Sequence, residues 1–143
     1  MFTRLILVLL FTAVAAPAFC QKKGDLTSLF GDWTGESKCV GNNPYCHDEV
    51  VVYHISRSGA DASKVTISAD KIVNGKPEFM GELDFTYDSP KQTLTGEFKI
   101  PRTGGKGVWL YQVNGNHMDG TLTTYPENEI GRRAKVDKKT AKE

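Results

Sequence analysis

Three adjacent polar residues, His47-Asp48-Glu49, form the densest cluster of chemically active side chains in the sequence. Imidazole and carboxylate groups ligate zinc and also act as general acids and bases. The residues that follow alternate like a β-strand, in which neighbouring side chains point to opposite faces, so at most two of the three converge. A metal site would need help from His117 or Asp119. We expect Asp48 and Glu49 to be structural or turn-capping residues. We predict no metal and no cofactor, and His47 and His117 are only secondary candidates for metal ligands.

Catalytic motifs are missing from the sequence. It contains hydroxyl groups, but no nucleophile motif beside a recognisable base and no glycine-rich phosphate loop before a helix. Glu82 and Asp84 share the outward face of a predicted strand, where a cross-strand ion pair with Lys99 accounts for them. The sequence therefore predicts no catalytic residues, and a hydrolase or metal-dependent enzyme is the third functional hypothesis.

Cys39 and Cys46 bracket a turn-rich stretch between two strand-like segments. In an oxidising compartment this spacing predicts a disulfide across the turn. A metal site is the alternative, but it needs more ligands than two thiolates.

Residues 1–20 have the layout of a secretory signal peptide. Arg4 gives a basic start, and the apolar run that follows, residues 5–14, is shorter than the roughly 20 residues that span a bilayer. Cleavage is expected after Ala18 or after Cys20, and lipidation of Cys20 is the alternative. We predict an exported protein, periplasmic or extracellular, and not an integral membrane protein.

The charge balance argues against nucleic acid or an anionic membrane as the main partner. The chain has 18 basic and 17 acidic residues, and Arg4 is the one charged residue of the first 20, so the remainder is formally neutral. That remainder suits one domain, residues 24–138, followed by a flexible basic tail, residues 139–143. We expect a monomer.

Eight segments alternate apolar and polar residues with a period of two and are separated by turn residues. A short helical turn at residues 25–30, capped by Asp25 or Thr27, precedes them. An antiparallel meander of this kind buries its apolar face by closing into an up-and-down barrel, and a two-sheet sandwich is the alternative. The predicted strands are residues 32–39, 48–56, 64–73, 79–87, 93–100, 108–113, 117–124 and 129–137.

The predicted inward faces carry many large aromatic residues, Phe79 among them. The interior of an eight-stranded barrel is either filled by side chains or holds one small ligand, and a cavity below roughly 300 Å³ would contradict the second possibility. The predicted ligand-contacting residues are Trp33, Tyr53, Phe85, Tyr87, Phe98, Trp109, Tyr111 and Arg132.

The segment Gly31-Asp32-Trp33, after a short apolar turn, resembles the first motif of the lipocalin and calycin families. The resemblance implies that an Arg on the last strand packs under Trp33. Arg132 lies on the inward face of that strand by parity, and Arg133 is the alternative if the register slips. Residues 24–138 then form a lipocalin-like β-barrel.

The chain also resembles small bacterial exported proteins that are classed as lipocalin-like and have no known activity. This resemblance implies a module that binds a small apolar or aromatic molecule, the alternative being a structural or protein-interaction barrel with a filled interior. The segments that carry it are residues 46–53, 71–75, 81–85 and 118–122.

Overall fold

Eight antiparallel strands in sequence order form a closed barrel, in which the last strand pairs with the first. The computed structural model describes residues 25–140. This is the predicted up-and-down barrel with a short N-terminal turn, and the two-sheet sandwich is wrong. The elements are a 3₁₀ turn (Leu26–Leu29), β1 (Gly31–Cys39), β2 (Glu49–Arg57), β3 (Lys64–Val73), β4 (Lys76–Asp88), β5 (Thr93–Lys99), β6 (Lys106–Asn114), β7 (His117–Tyr125) and β8 (Glu129–Lys138).

The 3₁₀ turn plugs one end of the barrel, the base, where β1 begins and β8 ends. Asp25 caps the turn by accepting a hydrogen bond from the Thr27 N–H. Leu26 and Leu29 are buried, and the indole Nε1 of the fully buried Trp33 donates to the Leu29 carbonyl at 2.8 Å. The turn therefore supplies both an apolar cover and the acceptor that a buried indole requires.

Side chains fill the base half of the interior. They come from the inward face of alternating strands, as the period-two pattern predicts. Burial of these apolar side chains stabilises the base of the barrel. The residues are Leu26, Leu29, Trp33, Ile55, Val65, Tyr87, Leu94, Val113, Met118 and Val136.

The pairing of β1 with β8 shows that the expected contact of Arg132 with Trp33 is wrong. Trp33 lies opposite Lys138, whose Nζ is 5.9 Å from the indole ring centroid and donates to the Ser28 carbonyl at 2.6 Å. Because the strands are antiparallel, the start of β1 faces the end of β8, and Arg132 faces Cys39 at the opposite end. Lys138 therefore occupies the position expected for an arginine.

The predicted inward position of Phe79 is wrong, because β4 contains a β-bulge. Ala69 pairs with Gly81 and Asp70 pairs with Phe79, so Met80 is an extra residue on β4. An extra residue reverses which side chains point inward on its far side. Phe79 is consequently 69% exposed, and Met80 contacts the interior instead.

A second bulge has the same effect in β8. Leu122 pairs with Arg132 and Thr123 pairs with Ile130, which makes Gly131 the extra residue. Ile130 lies two residues before Arg132 and would share its face in a regular strand, but it is exposed. The parity of Arg132, Ala134 and Val136 is unaffected, because they follow the bulge.

The pairing of β4 with β5 is short. Within the described barrel these strands align only over residues 86–88 and 93–95, near the base, although β4 continues to Lys76 and β5 to Lys99. Towards the other end, which we call the mouth, the described residues of the two strands form no further ladder pairs. The hydrogen bonding of the barrel wall is therefore interrupted between β4 and β5 at the mouth.

Candidate functional site

A cavity of about 420 Å³ occupies the mouth half of the barrel. Five aromatic residues line it: Tyr53, Phe85, Phe98, Trp109 and Tyr111. Aliphatic walls come from Val51, Ile67, Ala69, Met80, Leu83 and Leu122. The interior is thus filled at the base and hollow at the mouth. The cavity volume exceeds roughly 300 Å³, the low end of the range for ligand sites.

Six of the eight predicted ligand-contacting residues line this cavity. The other two, Trp33 and Tyr87, belong to the packed core at the base. The structure therefore brings Tyr53, Phe85, Phe98, Trp109, Tyr111 and Arg132 together around one space. Ligand contact by these residues remains a prediction.

Glycines in neighbouring strands leave room for the aromatic rings. Gly107 lies opposite Phe98, and Gly120 lies opposite Tyr111. A Cβ added at either glycine would overlap the ring opposite it. Trp109 stacks on Tyr111, with centroids 5.3 Å apart and 15° between the planes. Phe98 and Tyr111 therefore lie over the glycines opposite them, and the Tyr111 ring also meets Tyr53, which comes from β2 across the barrel.

Two tyrosine hydroxyls meet inside the barrel. The Tyr111 hydroxyl donates to the Tyr53 hydroxyl at 3.2 Å, and both residues are buried. Burial raises the pKa of Tyr111 well above its usual value and also raises the pKa of Tyr53, so both remain neutral phenols. Each hydroxyl carries one hydrogen, so the pair has one left for a third group.

Arg132 forms the polar end of the cavity. Its Nη1 donates to the Ser37 Oγ at 2.8 Å and to the Glu49 Oε2 at 3.2 Å, and its Nη2 donates to the His47 carbonyl at 2.5 Å. The side chains of Arg132 and Glu49 are 17% and 23% exposed. The guanidinium therefore has acceptors from β1, β2 and the loop between them.

The loop between β1 and β2 is closed by the predicted disulfide, which the structure confirms. Cys39 and Cys46 are bonded, with Cα atoms 6.0 Å apart. The Asp48 carboxylate accepts a hydrogen bond from the Cys39 N–H at 2.8 Å. Asp48 thus has the turn-capping role predicted for it.

Sequence reasoning missed the roles of Glu49 and Ser37. Glu49 was expected to be structural or turn-capping, but it forms an ion pair with Arg132. The alternation of side chains along β2 could have predicted an inward-facing Glu49, because Glu49 shares a face with Val51 and Tyr53, which point inward. Ser37 shares the inward face of β1 in the same way, and it is buried.

The candidate metal residues are far apart. His47 precedes β2 at the mouth, whereas His117 begins β7 at the base. His117 hydrogen-bonds to Asp137 at 2.7 Å and to Asp119 at 3.1 Å. Residues 25–140 contain no group of three or more His, Cys, Asp or Glu that could hold a metal ion. The same residues include no helix long and apolar enough to cross a membrane.

No protein-family model matches the sequence, and no curated protein matches it. Among solved structures, the fold is similar to that of secretory abundant heat soluble protein 4 from Ramazzottius varieornatus, with a TM-score of 0.49 and 14% sequence identity. The similarity covers 78% of this chain and 94% of that one. A likeness at this level identifies no ligand for this chain.

Proposed function

We propose that the protein is an exported, lipocalin-like binding module that holds one small apolar or aromatic molecule in the mouth half of its barrel. The cavity of about 420 Å³ carries this proposal. Ligand sites range from about 300 to 1,000 Å³ and combine apolar walls with a few polar groups. Here the walls are aromatic and aliphatic, and hydroxyls and one guanidinium supply the polar groups. A barrel with a filled interior, acting through its surface, would not retain this space.

The lipocalin-like assignment is supported by the base of the barrel. Gly31-Asp32-Trp33 begins β1 directly after the apolar turn, and Trp33 is buried against that turn. The cation beside the indole is Lys138, and this departs from the arginine expected of the family. We therefore rest the assignment on the barrel, its closure and its tryptophan.

Export is the part of the proposal that concerns residues 1–20, which lie outside the described residues. The disulfide supports it, because disulfides persist in oxidising compartments. Mass spectrometry of the exported fraction should show cleavage after Ala18 or Cys20, or a lipidated Cys20, together with linked Cys39 and Cys46 peptides. An intact chain in the cytosol with free thiols would contradict export.

Titration with N-phenyl-1-naphthylamine, a neutral aromatic probe that fluoresces in apolar sites, tests ligand binding. We expect saturable binding of one probe per chain. Ala69 lines the cavity, so Ala69→Leu should reduce the volume and weaken binding by at least about tenfold. Ala62→Leu makes the same change in the exposed turn between β2 and β3 and should leave binding unchanged.

Equal binding by both leucine variants would place the probe outside the cavity and contradict the proposal. A lack of saturable binding by the wild-type protein would also contradict it. Either result would favour the structural or protein-interaction barrel. Near-UV circular dichroism of each variant shows whether the barrel is intact.

A further inference from the structure

We propose that the cavity selects electrically neutral ligands over anionic ones, because its one cation is already neutralised by the protein. This inference rests on the proposed function, since it specifies the ligand of the same cavity. It depends on the charged groups that line the cavity and on the hydrogen bonds they already make.

Arg132 is the single Lys, Arg or His among the described residues that line the cavity. Both of its terminal nitrogens already donate to protein oxygens, Nη1 to Ser37 and Glu49 and Nη2 to the His47 carbonyl. An incoming anion that pairs with either terminal nitrogen would have to displace one of these acceptors. Displacing Glu49 leaves a carboxylate without its cation in a site where 23% of that side chain is exposed, which is unfavourable.

The remaining charges favour the same conclusion. Glu49 lines the cavity and the exposed Glu82 lies at its edge, so the carboxylates there outnumber the cations. The two tyrosines are neutral donors, because burial raises the pKa of each phenol. A neutral molecule avoids repulsion by these carboxylates and can still accept a hydrogen bond from the tyrosine pair. An anion meets two carboxylates and one guanidinium that is already paired.

Two probes with the same ring system measure this selectivity. N-phenyl-1-naphthylamine is neutral, and 8-anilinonaphthalene-1-sulfonate adds one sulfonate to the same skeleton. Fluorescence titration of the wild-type protein should show that the neutral probe binds at least about tenfold more tightly. Sulfonate binding whose affinity is unchanged in Ala69→Leu lies outside the cavity and is subtracted.

A charge-changing variant tests the cause. Glu49→Gln keeps the shape of the side chain and removes the charge that neutralises Arg132. We expect the ratio of sulfonate affinity to neutral-probe affinity to rise about tenfold in this variant relative to the wild type. Glu97→Gln is the matched control, because Glu97 pairs with Lys106 on the exposed surface. It should change neither affinity.

The outcomes separate this inference from the proposed function. If neither probe binds in the cavity, both are wrong. If both probes bind the wild type equally, the cavity binds ligands but does not select by charge, and only this inference is wrong. An unchanged ratio in folded Glu49→Gln also overturns it. The wild-type ratio requires no substitution, so the inference remains testable if that variant does not fold.

Discussion

Arg132 joins three parts of the chain that are distant in sequence. It bonds to Ser37 in β1, to Glu49 at the start of β2 and to the His47 carbonyl in the disulfide-closed loop. A planar guanidinium with several fixed donors suits this task better than an ammonium group. The residue expected to stabilise the base therefore stabilises the mouth, where it also defines the charge of the cavity.

Arg132→Ala should lower the free energy of unfolding by about 1–3 kcal/mol, because it leaves the Glu49 carboxylate and the Ser37 hydroxyl without their donor. Arg133→Ala is the control. Arg133 is exposed on the outer face opposite Lys38, so the change should stay within about 0.5 kcal/mol. Urea denaturation measures both variants, and equal effects would mean that the register of β8 is wrong.

Gly120→Ala should destabilise the barrel by about 1–3 kcal/mol, since the new methyl group overlaps the Tyr111 ring and forces it from the wall. Gly131→Ala adds the same methyl group where no heavy atom lies within 4 Å, and its effect should be within about 0.5 kcal/mol. Thermal unfolding compares them. A neutral Gly120→Ala would show that the ring does not need the glycine.

At the scale of elements, two histidines link neighbouring strands on the outside of the barrel. His54 in β2 bonds to Asp32 in β1 at 2.6 Å and to Asp70 in β3 at 3.1 Å. Its pKa is raised above the usual value by the hydrogen bond to Asp32 first and by the bond to Asp70 second. His117 and its two aspartates form a similar arrangement on β7 and β8, and its pKa is raised as well.

The His54 bridge should stabilise the barrel more in acid than in base. For a raised pKa, the contribution is fully present below the ordinary value of about 6.5 and is lost as the pH rises through the raised pKa. The side chain is 44% exposed, so solvent and salt keep the effect small. We expect the stability difference between wild type and His54→Gln to shrink between pH 6 and pH 9. Denaturant curves across that range measure it, and a difference that grows with pH would contradict the assignment.

The strands could be predicted because each has one apolar and one polar face, and the sequence of each segment alone shows this alternation. The bulges could not be predicted in the same way. Phe79 and Ile130 continue the alternation in the sequence, yet an extra residue beside each turns it outward. A bulge depends on how a strand fits its neighbour, so the pattern of one strand does not reveal it.

The predicted contact of Arg132 with Trp33 is wrong for a related reason. Parity placed Arg132 on the correct face, but the height of a residue along the barrel depends on the register between β1 and β8. The cavity was likewise unpredictable, because the same aromatic residues could fill the interior or line it. Where rings such as Phe98 and Tyr111 lie depends on which residues face them, here Gly107 and Gly120, and this requires the register of three strands.

At the scale of the whole molecule, the barrel has a solid base and a hollow mouth. The core residues and the N-terminal turn pack at the base, and the ladder between β4 and β5 is limited to residues 86–88 and 93–95 near the base. Regions with little buried apolar contact and unpaired backbone open most readily. The mouth should therefore be the more dynamic half of the molecule.

Amide hydrogen exchange should be faster in residues 76–85 of β4 than in residues 33–37 of β1, which pair on both sides. A ligand bound in the cavity at about 100 times its Kd should slow openings that release it by about 100-fold. Mass-spectrometric exchange with and without N-phenyl-1-naphthylamine measures both effects. Fastest exchange in β1 would contradict this division of the barrel.

Because β1 and β8 pair at the base, the ends of the chain could be moved to another turn without changing the barrel. Lys138 bonds to Ser28, and the Lys139 N–H donates to the Asp32 carbonyl at 2.8 Å, so residues 25 and 140 lie at the same end of the barrel. A short linker between them, with new ends in the exposed turn at residues 58–63, would preserve every strand neighbour. The fold is a ring of eight strands, and a circular permutant would have the same order around that ring.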